Sequence, residues 1–170
     1  MGEYEITMMN FRFFSGYVTT INDFMITSDD EDAGCYKLIS VENGPDTSVN
    51  FVVSPNTYFV DHTMVSTGDW ITGYYDGNAP VPMIFPPQYG AIVMEKENPY
   101  QNVKVAYFDS NLLSSDGQLK LNISPSTPKL LTNGQAFTKN PANRNLIVIY
   151  GPVTKSIPAQ TTPYKIIVLC

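Results

Sequence analysis

Val53-Ser54-Pro55-Asn56-Thr57 returns seventy positions later as Ile123-Ser124-Pro125-Ser126-Thr127. Each copy runs an apolar β-branched residue into Ser-Pro, which reads as the end of a strand entering a turn. Further matches keep the same order. Tyr75 pairs with Tyr150, and Tyr89 with Ile92-Val93-Met94 pairs with Tyr164 and Ile167-Val168-Leu169, at an offset of seventy-five. Matches in one order with one small change of offset point to an internal duplication with a short insertion, and a repeat must be recognised before a fold is assigned.

The elements inside each copy read as strands. Gly and Pro are frequent, at 11 and 13 residues, and no stretch holds a helical period between caps. Short β-branched and aromatic runs bounded by turn formers predict strands at Phe13–Ile21, Cys35–Val41, Val49–Val53, Trp70–Tyr75 and Tyr89–Glu95. In the second copy they fall at Val103–Phe108, Gln118–Ile123, Leu146–Tyr150 and Lys165–Leu169, with a further short one at Lys129–Leu131. Asn43-Gly44-Pro45-Asp46 and Ser115-Asp116-Gly117 supply turns. Leu119, Leu121 and Ile123 alternate with Lys120 and Asn122, as on a strand with one buried face, and Val49, Phe51 and Val53 occupy the matching positions. Leu146–Ile149 and Ile166–Leu169 are apolar at every position, which requires cover on both faces. One face is expected to fill the second unit and the other to pack on the first. The polar stretch Glu95–Asn102 marks the boundary, giving units at 1–97 and 98–170 joined too closely to drift apart.

Five short strands with a longer connection between the third and fourth suit a small, partly open Greek-key barrel of the OB kind. The expectation is therefore an all-β chain of two packed OB-like five-stranded barrels; a single β-sandwich or larger barrel is the alternative. Asn145-Leu146-Ile147-Val148-Ile149-Tyr150-Gly151, then Thr154-Lys155-Ser156-Ile157-Pro158-Ala159-Gln160 and Ile166-Ile167-Val168, resembles a recurrent OB-like domain family of Gram-positive bacteria. That pattern has a strand ending in Tyr-Gly, a Ser-Ile-Pro-Pro-Gln loop and a closing apolar strand. Gly73-Tyr74-Tyr75-Asp76 with Pro80–Tyr89 is a diverged version, lacking the Ser-Ile start, and Ala159 stands where the pattern has its second Pro. The resemblance covers about half the chain and implies a fold and a non-catalytic role.

Composition narrows the function. Hydrophobic residues make up 43%, enough for a real core, while charged residues are only 15%. Soluble domains average about 25% charged, so this surface relies on hydroxyl, amide and aromatic groups and favours contact with a partner. Net charge is −6, and no basic cluster could neutralise phosphates, which argues against nucleic acid. No apolar run approaches the roughly 20 residues of a membrane span. The first residues, with Glu3 and Glu5, lack the apolar core of a signal peptide, so cytoplasm is the default location. Cys35 and Cys170 read as thiols, Cys35 inside a strand, more readily than as a disulfide.

The segment Asn78–Tyr89 is the leading candidate surface. Four prolines hold it extended and remove amide donors, presenting Val81, Met83, Ile84 and Phe85 from a preordered loop. A protein partner or a second copy of the chain, as a homodimer, would cover it. Trp70 and Tyr74 are the aromatic surface candidates and support a rival reading as a carbohydrate- or cell-surface-binding module. Tyr75 and Tyr89 recur in both copies and are expected in the core. A third reading places a small hydrolase around His62 with Asp61 or Asp69 and a nucleophile such as Ser54 or Thr57, but no nucleophile elbow or Cys-His spacing accompanies it. Asp29-Asp30-Glu31-Asp32 fails as a calcium loop, because an EF-hand counted from Asp29 would need ligands at Ala33 and Ser40. One His and two distant Cys are too few for a usual zinc site. No catalytic residue, metal or cofactor is expected.

Overall fold

A computed structural model of the chain describes residues 8–24 and 33–170. The described residues are all-β, with one 3-10 turn at Val60–His62. No helix among them is long and apolar enough to cross a membrane. The acidic run 29–32 lies outside the described residues. The chain divides into two units, Phe11–Glu97 and Asn98–Cys170, and the residues just before Phe11 group with the second. There the Met9 N–H donates to Asn145 Oδ1 at 3.2 Å.

The first unit contains β1 (Phe11–Asp23), β2 (Lys37–Glu42), β3 (Ser48–Val53), β4 (Tyr58–Phe59), β5 (Trp70–Asp76), β6 (Gln88–Gly90) and β7 (Val93–Lys96), in the sheet order β4-β7-β5-β1-β2-β3-β6. β1 serves two partners. Phe11–Tyr17 pairs antiparallel with β5, and the residues from Tyr17 to Asp23 pair with β2, with a register shift between Val18 and Thr20. At that bend Gly16 lets β2 approach, since a Cβ there would lie 2.4 Å from the Glu42 carbonyl oxygen.

The expected single strand Tyr89–Glu95 is two strands. Gln88–Gly90 runs parallel to β3, and Ala91 N–H still donates to Val52 O. Ile92 N–H then donates to Tyr74 O, and Val93–Lys96 continues antiparallel to β5. β4, which carries no sequence period because it has two residues, runs parallel to β7.

The second unit shares several of these pairings, with a shorter first strand and no counterpart of β2: β8 (Asn102–Phe108), β9 (Leu119–Leu121), β10 (Lys129–Leu131), β11 (Arg144–Tyr150), β12 (Ala159–Thr161) and β13 (Lys165–Leu169). β8 pairs antiparallel with β11 and β11 with β13, while β13 runs parallel to β10 and β9 parallel to β12. Single bridges, Phe108 to Ser114 and Leu113 to Lys120, stand where the first unit has the whole of β2. Neither unit forms a continuous closed ladder; the second is a four-stranded and a two-stranded sheet.

The two Ser-Pro turns share their closing bonds. Ser54 N–H donates to Thr57 Oγ1 at 3.0 Å, and Ser124 N–H to Thr127 Oγ1 at 3.1 Å. In both, the Thr N–H returns to the Ser carbonyl at 3.1 Å. The expected offset in the last strand needs correction. Tyr74 aligns with Val93 and Ile149 with Lys165, so β7 and β13 are related by seventy-two positions. Tyr89, opposite Phe51, corresponds to Thr161, opposite Leu121, and Tyr164 is not its counterpart.

Each unit has its own core. In the first, Val18, Ile39, Val41, Val49, Phe51, Val53, Ile71, Ala91 and Met94 cluster, with Tyr75 and Tyr89 packed against them. Those two rings stack at 3.9 Å and 6°. In the second, Phe108, Leu119, Leu121, Leu146, Val148, Ile166 and Val168 cluster. Ile147, Ile149 and Ile167, the alternating residues, are buried as well. Cys35 and Cys170 are free and exposed, and Cys35 lies in a turn ahead of β2 rather than in the strand.

Candidate functional site

The loop from β5 to β6 begins and ends on fixed points. Asp76 Oδ1 accepts the Asn78 N–H at 3.0 Å and the Asp76 carbonyl accepts the Ala79 N–H at 3.2 Å. At the far end Pro87 O accepts the Asn50 N–H at 2.8 Å, and the Phe85-Pro86 peptide is cis. Between these anchors, Met83 is fully exposed, Phe85 is 76% exposed, and Val81 and Ile84 are about half exposed. All four apolar site residues thus face solvent.

The second unit carries a comparable loop, Gly151–Pro158, which the sequence reading did not single out. It is closed by Thr154 N–H to Gln160 O at 2.9 Å and by Thr161 Oγ1 to Pro152 O at 2.9 Å. Ile157, placed before its cis proline as Phe85 is, is 98% exposed, and Val153 is also exposed. The Ser-Ile-Pro-x-Gln match was the signal that could have found it.

The aromatic candidates separate. Trp70 is half-buried and meets Tyr17 edge-on at 4.8 Å. Tyr74, expected at the surface, is only 7% exposed. Its place on β5 opposite both Phe13 and Val93 covers the ring. Sequence alternation could not reveal this, because Tyr74 and Tyr75 are adjacent, point to opposite faces, and are both covered. The outward face of β1 and β5 runs Phe13 beside Tyr74, Ser15 beside Thr72, and Tyr17 beside Trp70. Phe13 and Tyr17 are exposed, and the Ser15 and Thr72 hydroxyls bond at 2.7 Å.

The same face contains Glu95, which no motif marked. Glu95 pairs with Thr72 in register, and Tyr74 OH donates to Glu95 Oε2 at 3.3 Å. Burial pushes its carboxyl up to about 7; the Tyr74 hydrogen bond opposes this, and the charges of Asp61 and Glu97 add to it. Asp61 and His62 take the left-handed conformation at φ 60° and 50°, which is uncommon for residues other than glycine. The His62 ring meets Tyr58 at 5.8 Å, and burial together with Asp61 raises the Tyr58 phenol above its ordinary value.

Three of the groups expected to act with His62 have other partners. Ser54 Oγ accepts the Asn56 N–H, Thr57 Oγ1 donates to Ala91 O at 2.7 Å, and Asp69 binds Lys96 at 3.4 Å. Among the described residues no group of three His, Cys, Asp or Glu side chains could hold a metal ion. No protein-family model, curated protein or solved structure matches the chain.

Proposed function

We propose that the chain is a duplicated, OB-like, non-catalytic interaction module that associates with a second copy of itself through the loop Asn78–Tyr89. The OB-like reading is supported by three pairings that recur in both units: first strand to fourth antiparallel, third to the start of the fifth parallel, and fourth to the remainder of the fifth antiparallel. The resemblance to the Gram-positive OB-like family fits this reading. One observation carries the interaction role: four apolar side chains exposed together on a loop held by prolines and pinned at both ends. Such a loop loses little entropy on docking, and contiguous apolar surface of this kind marks contact sites. Light scattering on the wild type and on Phe85→Asp tests it. A dimer mass that falls to the monomer in the variant is expected; a monomer in both eliminates the reading.

A second reading is favoured by the exposed rings of Phe13 and Tyr17 beside Trp70, with the Ser15–Thr72 hydroxyl pair between the aromatic rungs. Rings that stack and hydroxyls that hydrogen-bond are what a neutral glycan requires. The chain's one tryptophan lies in that face, so its fluorescence reports occupancy. A silent titration across a panel of oligosaccharides removes this alternative.

A further inference from the structure

We propose that the outward face of β1, β2, β3 and β6 binds a neutral oligosaccharide that runs across the strands from Trp70 to Gln88. The inference rests on the glycan reading above and extends its aromatic patch into a track. Strand register builds that track. Thr20 on β1 lies opposite Ser40 on β2, Ser40 opposite Asn50 on β3, and Asn50 opposite Gln88 on β6. Ile39, Val41, Val49, Phe51 and Tyr89 alternate with these residues along the strands and pack in the core, so the row itself faces outward. Its near end adjoins the rings. Tyr17 pairs with Trp70 on one side and with Glu42 on the other, and Glu42 shares the outward face of β2 with Ser40.

The row offers hydroxyls and side-chain amides. Ser40 Oγ donates to Asn50 Oδ1 at 2.6 Å, which leaves the Nδ2 donors of Asn50 to offer. Among the described residues neither those donors nor the Gln88 amide has a hydrogen-bond partner. Beside Gln88 the surface is open, since a Cβ on Gly90 would meet nothing within 4 Å. Charge selects the occupant. On the outward positions of β2, β3 and β6 the one charged side chain is Glu42. That carboxylate and a net charge of −6 repel an anionic polymer, whereas sugar hydroxyls can accept from the amides and donate to Thr20 and Ser40. From Thr20 to Gln88 the row crosses three inter-strand spacings, about 14 Å at about 4.8 Å each, which is longer than a disaccharide.

The test is calorimetric titration of the whole protein, with Trp70 fluorescence alongside, using cello-, xylo- and chito-oligosaccharides from dimer to hexamer. In one series affinity should rise roughly tenfold from dimer to hexamer, the worth of about two hydrogen bonds reached only by the longer chain. Gln88→Ala should weaken the hexamer by roughly fivefold and leave the dimer, seated on the Tyr17–Trp70 rings, unchanged. Asn50→Ala should also weaken the hexamer, and supplies a second arm if Gln88→Ala does not fold. Silence with every sugar removes the glycan reading and this inference together. Affinity that does not grow with length, or hexamer binding unaltered in both variants, overturns the track and leaves the aromatic patch standing. Tighter binding of a galacturonate hexamer than of every neutral one overturns the choice of ligand. Self-association lost in Gln88→Ala, with no sugar bound, would give the face to a second copy of the chain and overturn the proposal.

Discussion

At the residue scale, the Ser-Pro-x-Thr turn shows why a short motif can take the same conformation in two places. Its Thr side chain accepts the Ser amide in both units, so the motif carries its own hydrogen bonds and needs no distant partner. Thr57 also donates to Ala91 O, which ties the turn to the chain between β6 and β7. Replacing it with the isosteric Val leaves the Ser54 amide and the Ala91 carbonyl without that partner. Denaturant unfolding of Thr57→Val should show a loss of about 1–3 kcal/mol. Glu95 makes the opposite point. In sequence it is one of several acids at a strand end, with Glu97 two residues on; only the fold adds Tyr74 and Asp61. Its folded-state value, about 7, lies above the ordinary 4.5, so the folded protein holds the proton more tightly than the unfolded chain. The contribution to stability is full below about pH 4.5, declines as pH rises to about 7, and stays lost above that. Glu95→Gln should accordingly be more stable than wild type at pH 8, by about 1 kcal/mol after allowance for partial solvent screening, and equal to it at pH 4.

At the element scale, the two cores solve one packing problem with different volumes. A Cβ on Gly73 would lie 2.5 Å from the Phe51 ring, so β5 gives up a side chain to seat a large ring from β3. The matched positions in the second unit carry Val148 on β11 and Leu121 on β9, both buried. Phe with Gly fills the place of Leu with Val. Gly73→Val alone should therefore cost about 3 kcal/mol or more, as overpacking does, whereas Phe51→Leu with Gly73→Val should recover a large part of it. The coupling energy in that double-mutant cycle is the quantity to measure, and additive effects would contradict the packing account. Strands with alternating or wholly apolar patterns were readable in advance, to within a few residues at their ends. β4 and β12 were not, because they have two and three residues and their pairing comes from parallel partners distant in sequence. The division between β6 and β7 was equally hidden, since a change of partner at Ala91–Ile92 leaves no trace in hydropathy.

At the scale of the whole molecule, net charge of −6 and pI near 4.6 set the colloidal behaviour. With apolar tips exposed at Phe85 and Ile157, solubility should pass through a minimum near pH 4.6, where repulsion between molecules vanishes. Turbidity across pH reads this directly, and Phe85→Asp should weaken the minimum. By itself the sequence determined the all-β class, the repeated turn, most strands and the apolar loop, because propensity, alternation and turn chemistry are written in neighbouring residues. Only tertiary structure decided that Tyr74 is covered, that the last strands are offset by seventy-two positions, that Gly151–Pro158 exposes a loop like the first, and that Glu95 is held among other acids. Those outcomes depend on which distant strands pair and in what register, and a pairing between segments far apart in the chain is fixed by mutual burial rather than by any local pattern.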